Sequence, residues 1–270
     1  MNDMKKNGWE IIRFNGDSKS ILQEEVAIEK PFTIILNGKE FATIVCTPTN
    51  LQDLIVGFLA AEGVIRFYDE IKSISIDEKL GFSYIQLKKD LDVFELDHSK
   101  RFIGSCCGKS RQFYFKNDVR TAKTIMSQLS ISVNQCFTLM NALQTKSEQF
   151  IKTGGVHNAA LATHDEIITI RSDIGRHNAL DKLYGHVIQN KIKLGDKLVV
   201  FSGRISSEVL LKISKMGVGI LVSKSAPTNL ALQLADDLGI TVIGFTRGNR
   251  LNIYTHPHRI IEADSANNNL

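Results

Sequence analysis

The sequence predicts an α/β fold in two parts: a small α+β unit, then a larger layered unit in which a sheet carries helices on both faces. Over the first hundred residues, strand-like segments cluster around Asn37-Gly38, a pair that favours tight hairpins. From Asn158 onward, strand-like and helix-like stretches alternate, which is the pattern of a layered sheet. A length of 270 residues with 43% hydrophobic content suffices for one large core or two modest ones.

In the first unit, 25–29, 32–36 and 41–46 carry strand-forming residues, and Asn37-Gly38 joins the last two. Thr49 or Asn50 then caps a helix whose Leu51, Leu54, Ile55, Phe58 and Leu59 recur at helical spacing and define a buried face. Strands at 71–76 and 82–87 flank a turn at 77–81. Two helices follow, near 119–129 and 133–147, the second capped by Ser132. Strands at 159–162, 167–171, 197–201, 218–222 and 241–245 then alternate with helices at 178–189, 206–215 and 229–237. The units are expected at 1–118 and 119–263, and the polar, asparagine-rich 264–270 reads as a disordered tail.

The balance of 33 Lys plus Arg against 29 Asp plus Glu, a formal +4, suits an anionic ligand. The basic residues are scattered, without a run or an aromatic-interleaved patch, which argues against nucleic acid. The first residues lack an apolar export segment, and no stretch reaches about 18 apolar residues, so a cytoplasmic protein that does not span a membrane is expected. Four cysteines in a reducing compartment imply free thiols. Cys46 and Cys136, in apolar strand-like and helix-like segments, read as structural.

Cys106 and Cys107 differ, because they adjoin each other in Gly104-Ser105-Cys106-Cys107-Gly108-Lys109-Ser110. Neighbouring Cα atoms stand about 3.8 Å apart, whereas disulfides need roughly 4.4–6.8 Å, so a bond between the two would be strained and easily reduced. Small neighbours leave the sulfurs uncovered, while Lys109 and the glycine-turn N–H groups favour nucleophilic thiolate. Two small buried apolar residues are the plainer alternative. The stretch also imitates a phosphate-binding P-loop but is one residue short, with Ile103 where the first glycine belongs.

Five polar, glycine-containing or basic clusters form a second signal, four of them after candidate strands. They are Thr153-Gly154-Gly155-Val156-His157-Asn158, Ser172-Asp173-Ile174-Gly175-Arg176-His177-Asn178, Ser202-Gly203-Arg204-Ile205-Ser206-Ser207, Ser223-Lys224-Ser225-Ala226-Pro227-Thr228 and Thr246-Arg247-Gly248-Asn249-Arg250. Ligands of layered α/β sheets bind beyond the carboxyl ends of strands, and helix N-termini favour anions. Arg176, Arg204, Arg247 and Arg250 would grip phosphates bidentately, so a large polyanion with more than one phosphate is expected. His157 and His177 serve there as general acid or base, as donors to a ligand, or as loop supports. Asp181 shares a helix face with His177, or pairs at the surface with Lys182 or Arg176. No C-x-x-C or deaminase zinc signature is present, so no metal site is expected.

Together these segments resemble the formate dehydrogenase accessory sulfurtransferase family, FdhD, over about 25–261. The most specific match is Thr153-Gly154-Gly155-Val156-His157-Asn158-Ala159-Ala160 followed by Asp173-Ile174-Gly175-Arg176-His177-Asn178-Ala179-Leu180-Asp181-Lys182. The later clusters, with Phe245 before Thr246, reinforce it. The resemblance implies a sulfur carrier that accepts persulfide sulfur from a cysteine desulfurase. The carrier transfers that sulfur to the molybdenum cofactor, bis-molybdopterin guanine dinucleotide, before the cofactor enters formate dehydrogenase. It also implies a homodimer and, for the second unit, a cytidine-deaminase-like three-layer α/β/α fold without zinc. The family's cofactor segment falls on Phe245, Thr246, Arg247, Gly248, Asn249 and Arg250; His157, Arg176, His177, Arg204, Ser223 and Lys224 of the clusters join it as expected contacts. The cofactor's two pyrophosphates agree with the polyanion read from the arginines.

Many members carry Cys-Gly-Val-Cys where this chain has Cys106-Cys107, which leaves the persulfide carrier open between the two. Cys107, beside Gly108-Lys109, has the more electropositive side and is favoured. The alternative function is a non-enzymatic molybdenum-cofactor chaperone whose cysteines only sense redox state.

Overall fold

The computed structural model describes residues 8–89, 101–103 and 124–266. β1 (Trp9–Asn15) and β2 (Ser18–Glu24) open it as an antiparallel hairpin. β3 (Lys30–Leu36) and β4 (Lys39–Cys46) form a second hairpin, turned at Asn37 (φ 48°) and Gly38 (φ 79°). Two left-handed residues in succession give the turn whose twist matches that of the strands, which is why Asn-Gly signals it. β5 (Ile71–Asp77) and β6 (Phe82–Leu87) follow, their turn held by the Leu80 N–H donating to Asp77 Oδ1 (2.9 Å). β7 (Arg101–Ile103) adds to β4 in parallel, with Ile103 opposite Ile44, and completes a five-stranded sheet of order β5-β6-β3-β4-β7. α1 (Leu51–Ala61) covers it, burying Leu54, Ile55, Phe58 and Leu59 against Phe32, Ile34 and Ile44.

The second unit starts with α2 (Val133–Lys146), whose first turn is satisfied reciprocally: Ser132 Oγ accepts from the Gln135 N–H and Gln135 Oε1 from the Ser132 N–H. The short α3 (Glu148–Thr153) leads into β8 (His157–Ala162), β9 (Ile167–Asp173), α4 (Arg176–Gln189) and β10 (Leu198–Phe201). α5 (Ser207–Met216), β11 (Ile220–Ser223), α6 (Asn229–Leu238), β12 (Thr241–Arg247), β13 (Arg250–Ile253) and α7 (Ile261–Ala266) complete it. The sheet order is β13-β12-β11-β10-β8-β9, with β10, β11 and β12 parallel. Strand residues alternate between two buried faces. Ala159, Leu161, Val199, Phe201 and Leu221 pack with α4, α5 and α6, whereas Ala160, Ala162, Leu198, Val200 and Val222 pack with α2. The expected three layers of α/β/α are present.

The two units meet where α1 crosses α4. A Cβ on Gly57 would lie 1.7 Å from the Asp181 carbonyl oxygen, and one on Gly185 1.9 Å from that of Asp53. Only glycine at both positions permits this approach. Below the crossing, Lys182, fully buried, bonds Asp173 Oδ2 (2.8 Å), the Thr47 carbonyl (2.9 Å) and the Ser172 carbonyl (3.1 Å). Among the described residues, no helix is long and apolar enough to cross a membrane.

Several expectations are corrected. Residues 25–29 alternate like a strand but enter no ladder among the described residues; Ala27 lies instead against Gly155. Of the helix expected at 119–129, residues 119–123 lie outside the described residues and 124–129 are not helical. Tertiary bonds have replaced helical ones there: the Ile125 N–H donates to the Leu238 carbonyl, and the Ser127 carbonyl accepts from Arg259 Nε (3.0 Å). Asn50 does precede α1, but with a left-handed backbone and no side-chain cap bond. Helix α7 reaches Ala266, into the segment read as a tail. The strands β1, β2, β7 and β13 and the helices α3 and α7 were not anticipated.

Candidate functional site

Because β8 runs against β10 and β9 against β8, the start of β8 shares one edge of the sheet with the ends of β9, β10, β11 and β12. All five polar clusters therefore lie on that edge, which is the ligand side of such sheets. A cleft of about 390 Å³ opens there, lined by Gln144, Phe150, His157, Ile174, Ser202 and Lys224 among others.

Its floor is a hydrogen-bonded weave. The Asn158 N–H donates to Ser202 Oγ (2.9 Å) and the Ser202 N–H to the Asn158 carbonyl (3.0 Å). Asn158 Oδ1 accepts from the hydroxyls of Ser147 (2.7 Å) and Ser172 (2.6 Å). Lys224 Nζ donates to Gln144 Oε1 (2.7 Å), which holds the ammonium at the wall. Gly203 is needed for closeness, since a Cβ there would meet the Phe201 ring at 2.7 Å and the Arg176 Cβ at 3.3 Å.

Burial first, then the positive charges of Arg176 and Arg204, hold the His157 pKa below its ordinary 6.5. Arg176 Nε is buried without a hydrogen-bond partner among the described residues, as is Thr246 Oγ1. A buried guanidinium nitrogen without an acceptor, beside a second arginine and a half-buried imidazole, suits an anion.

The Arg247 to Arg250 turn joins β12 to β13 beyond the same edge, with Arg247, Gly248, Asn249 and Arg250 exposed. Arg247 Nε donates to the Lys224 carbonyl (2.9 Å), tying the turn to the cleft wall, and its guanidinium stands 5.9 Å from the Phe245 ring centroid. Phe245 has φ 51° at a break in the β12–β13 register, a left-handed backbone that is costly for a bulky residue and is held here by its surroundings.

Other expected site residues are turned elsewhere. His177 Nε2 faces Glu208 Oε2 (3.1 Å) across α4 and α5, and Ser223 Oγ donates to the Gly203 carbonyl (2.8 Å). Asp181 is buried and paired with Lys212, not set at the surface with Lys182 or Arg176. Asp173 and Asn178 are likewise structural: Asn178 Nδ2 donates to Asp173 Oδ1 (3.0 Å) and to the Val45 carbonyl (2.9 Å). Much of the longest motif thus joins the two units, leaving Ile174 to line the cleft and Arg176 to act on His157 through its charge. Gln144 carried no signal in the sequence, because a glutamine within a helix is ordinary until its neighbour is known.

Cys106 and Cys107 lie outside the described residues. Cys46 and Cys136 are buried and free, and burial pushes both thiols up to about 12, which removes them from thiolate chemistry at neutral pH. Among the described residues, no group of three or more His, Cys, Asp or Glu could hold a metal ion.

A three-layer sheet with a cleft at the ends of its strands, lined by His157 and Lys224, defines the class as an α/β protein with a strand-end site. The chain belongs to the FdhD/NarQ family, whose model matches residues 27–261. It is 54% identical over 262 residues to a protein of Bacillus subtilis named sulfur carrier protein FdhD, covering 97% of this chain and all of that one. Proteins of the same name from Geobacillus kaustophilus (59% identical; 88% of this chain, 91% of that one) and Staphylococcus aureus (50%; 98% and 100%) are similarly related. The fold matches the crystal structure of a candidate formate dehydrogenase accessory protein from Desulfotalea psychrophila at TM-score 0.75 and 23% identity, over 94% of this chain and 98% of that one.

Proposed function

We propose that this protein is a sulfur carrier for the maturation of formate dehydrogenase, accepting persulfide sulfur from a cysteine desulfurase and transferring it to bis-molybdopterin guanine dinucleotide held as cargo in the cleft. The observation that carries the reading is a strand-end cleft lined by His157 and Lys224, with Arg176 and Arg204 near enough for their charges to act on His157. That cleft suits the pyrophosphates of such a ligand, and the Arg247 to Arg250 turn extends it. The names of the relatives support the sulfur-carrying role. Action in the cytoplasm as a homodimer, and cytidine-deaminase-like kinship for the three-layer unit, belong to the same proposal.

Connectivity supports a role for Cys106 and Cys107. Ile103 stands opposite Ile44, three residues before Cys106 in the sequence. Thr47 follows Ile44 by the same number. Its N–H donates to Asp173 Oδ2 (3.1 Å) and its Oγ1 accepts from the N–H of Ile174 (3.1 Å), a cleft residue. The strand pair that leads to the thiols is therefore bonded to the cleft wall.

In the first step a Cys107 thiolate attacks the terminal sulfur of the donor's persulfide. One S–S bond forms on Cys107 as the donor's own breaks, and the donor cysteine leaves as thiolate, so there is no net redox change. Delivery to the cargo would break the Cys107 S–S bond with its electron pair staying on the Cys107 sulfur, restoring the thiolate. The cargo would take the sulfur as a neutral atom, giving up two electrons if that sulfur ends as sulfide. Incubation of the pure protein with an active desulfurase and cysteine, followed by peptide mass analysis, is expected to show one added, reducible sulfur on Cys107. Changing both cysteines to serine is expected to abolish formate dehydrogenase maturation while folding and cofactor binding persist. Absence of added sulfur would overturn the carrier role and leave a cofactor chaperone.

A further inference from the structure

The β1–β2 hairpin precedes the residues matched by the family model, and it is the least covered part of the described structure. Its register sets Ile12 opposite Ile21 and Phe14 opposite Lys19, so Ile12, Phe14 and Ile21 share one face. They are 57%, 64% and 63% exposed. Neither strand pairs with a third among the described residues, which leaves both outer edges open. An isolated two-stranded sheet is marginally stable in water, so an apolar stripe with open edges calls for a cover.

Charge indicates which cover. Residues 8–29 carry five carboxylates against Arg13 and Lys19 within a chain of net +4; Arg13 is paired with Glu24, so Glu10, Asp17 and Glu25 give the hairpin its acidic rim. A second copy would bring the same acidic rim against this one across a two-fold axis, and an anionic membrane surface would be repelled. Position indicates the purpose. The opposite hairpin face, with Arg13 and Leu22, lines a groove of about 550 Å³ against α3, and this groove shares Phe150 and Gly154 with the ligand cleft.

We propose that the hairpin is the docking surface for the apoenzyme that receives the cleft's cargo, which would present an apolar patch with a strand edge, rimmed by Lys and Arg. The proposal rests on the carrier function proposed above. Strand addition at the open edge supplies the main-chain bonds, Ile12, Phe14 and Ile21 supply the apolar anchor, and the carboxylates select a basic rim.

The test immobilises apo-formate dehydrogenase and measures binding of the full-length chain, of the triple variant Ile12→Ser, Phe14→Ser, Ile21→Ser, and of the pair Glu10→Lys, Asp17→Lys. The triple variant is expected to weaken binding by about tenfold or more, as loss of interface anchors does. The charge pair is expected to weaken it more at low salt than at high salt. Both variants should keep the wild-type far-ultraviolet spectrum and accept sulfur from the desulfurase as the wild type does. Unchanged affinity in the triple variant overturns the docking surface. Loss of self-association or of vesicle binding, with enzyme affinity intact, overturns it in favour of a second copy or a membrane. A wild-type chain that accepts sulfur but does not bind the apoenzyme overturns this inference alone, whereas failure to accept sulfur overturns the carrier function.

Discussion

His157 sits where burial meets the charges of Arg176 and Arg204, and the resulting depression of its pKa has a definite sign. The unfolded chain binds a proton near pH 6.5 that the folded chain resists. This histidine therefore costs no stability above that pH and an increasing amount as pH falls from 6.5 towards the folded value. An anion seated between the two arginines would cancel their charge and restore the proton's affinity. Binding should then take up protons and tighten with acidity. Calorimetric titration of guanosine diphosphate at pH 8 and pH 6 is expected to show tighter binding at the lower pH, beyond whatever pH dependence the His157→Gln variant retains. Identical pH dependence in the two proteins would place the anion away from His157. The neighbouring Asp173–Lys182 pair answers a different need. It is fully buried and hydrogen-bonded on every side described, so it registers the two units against each other, and removing one partner would leave a charge stranded in the core.

The crossing of α1 and α4 depends on two missing side chains. In an exposed helix, Gly→Ala stabilises by about 1 kcal/mol. At Gly185 the new Cβ would meet the Asp53 carbonyl at 1.9 Å, and that atom is backbone, unable to rotate away. Overpacking of about 1–3 kcal/mol or more should outweigh the propensity gain, so Gly185→Ala is expected to lower the urea midpoint, and a rise would show that the helices can part without loss. Neither glycine was legible as a packing device, because a sequence does not state which helix lies opposite. Periodicity did reveal the elements whose own residues specify them: the β3–β4 turn at Asn37-Gly38, the buried face of α1, and the alternation from β8 to β12. It failed where a partner decides. Residues 25–29 alternate but have no ladder, and 124–129 look helical but run beside the turn after α6. The β1–β2 hairpin was legible and was overlooked, since Asn15-Gly16 between strand-forming runs is the same signal as Asn37-Gly38. The strand-end clusters do fall on one edge, but polar residues there also serve the fold: Asp173 and Asn178 bond across to the first unit, and Ser223 ties the ends of β10 and β11.

Across the whole molecule, stability should be uneven in a way that one residue reports. The five-stranded and six-stranded sheets are coupled through the glycine crossing and the buried Lys182 network, so neither can open without exposing core, and they should melt together. The β1–β2 hairpin shares none of that burial. It carries the chain's only tryptophan, Trp9, 66% exposed. Elements with few buried contacts open at free energies well below the global value. Tryptophan emission and far-ultraviolet dichroism followed through one urea titration should therefore not coincide. Emission is expected to change first and with a shallow slope, because little surface is exposed when a hairpin frays, and the dichroism later in a single steep step. An acceptor protein paired to the hairpin would hold its strands together and draw the two curves closer, although Trp9 lies on the face away from Ile12, Phe14 and Ile21, whereas ligand in the cleft would move only the dichroism. Coincident curves for the free protein would mean that the hairpin is held by the core despite its exposure, and the apolar stripe would then need no partner to explain it.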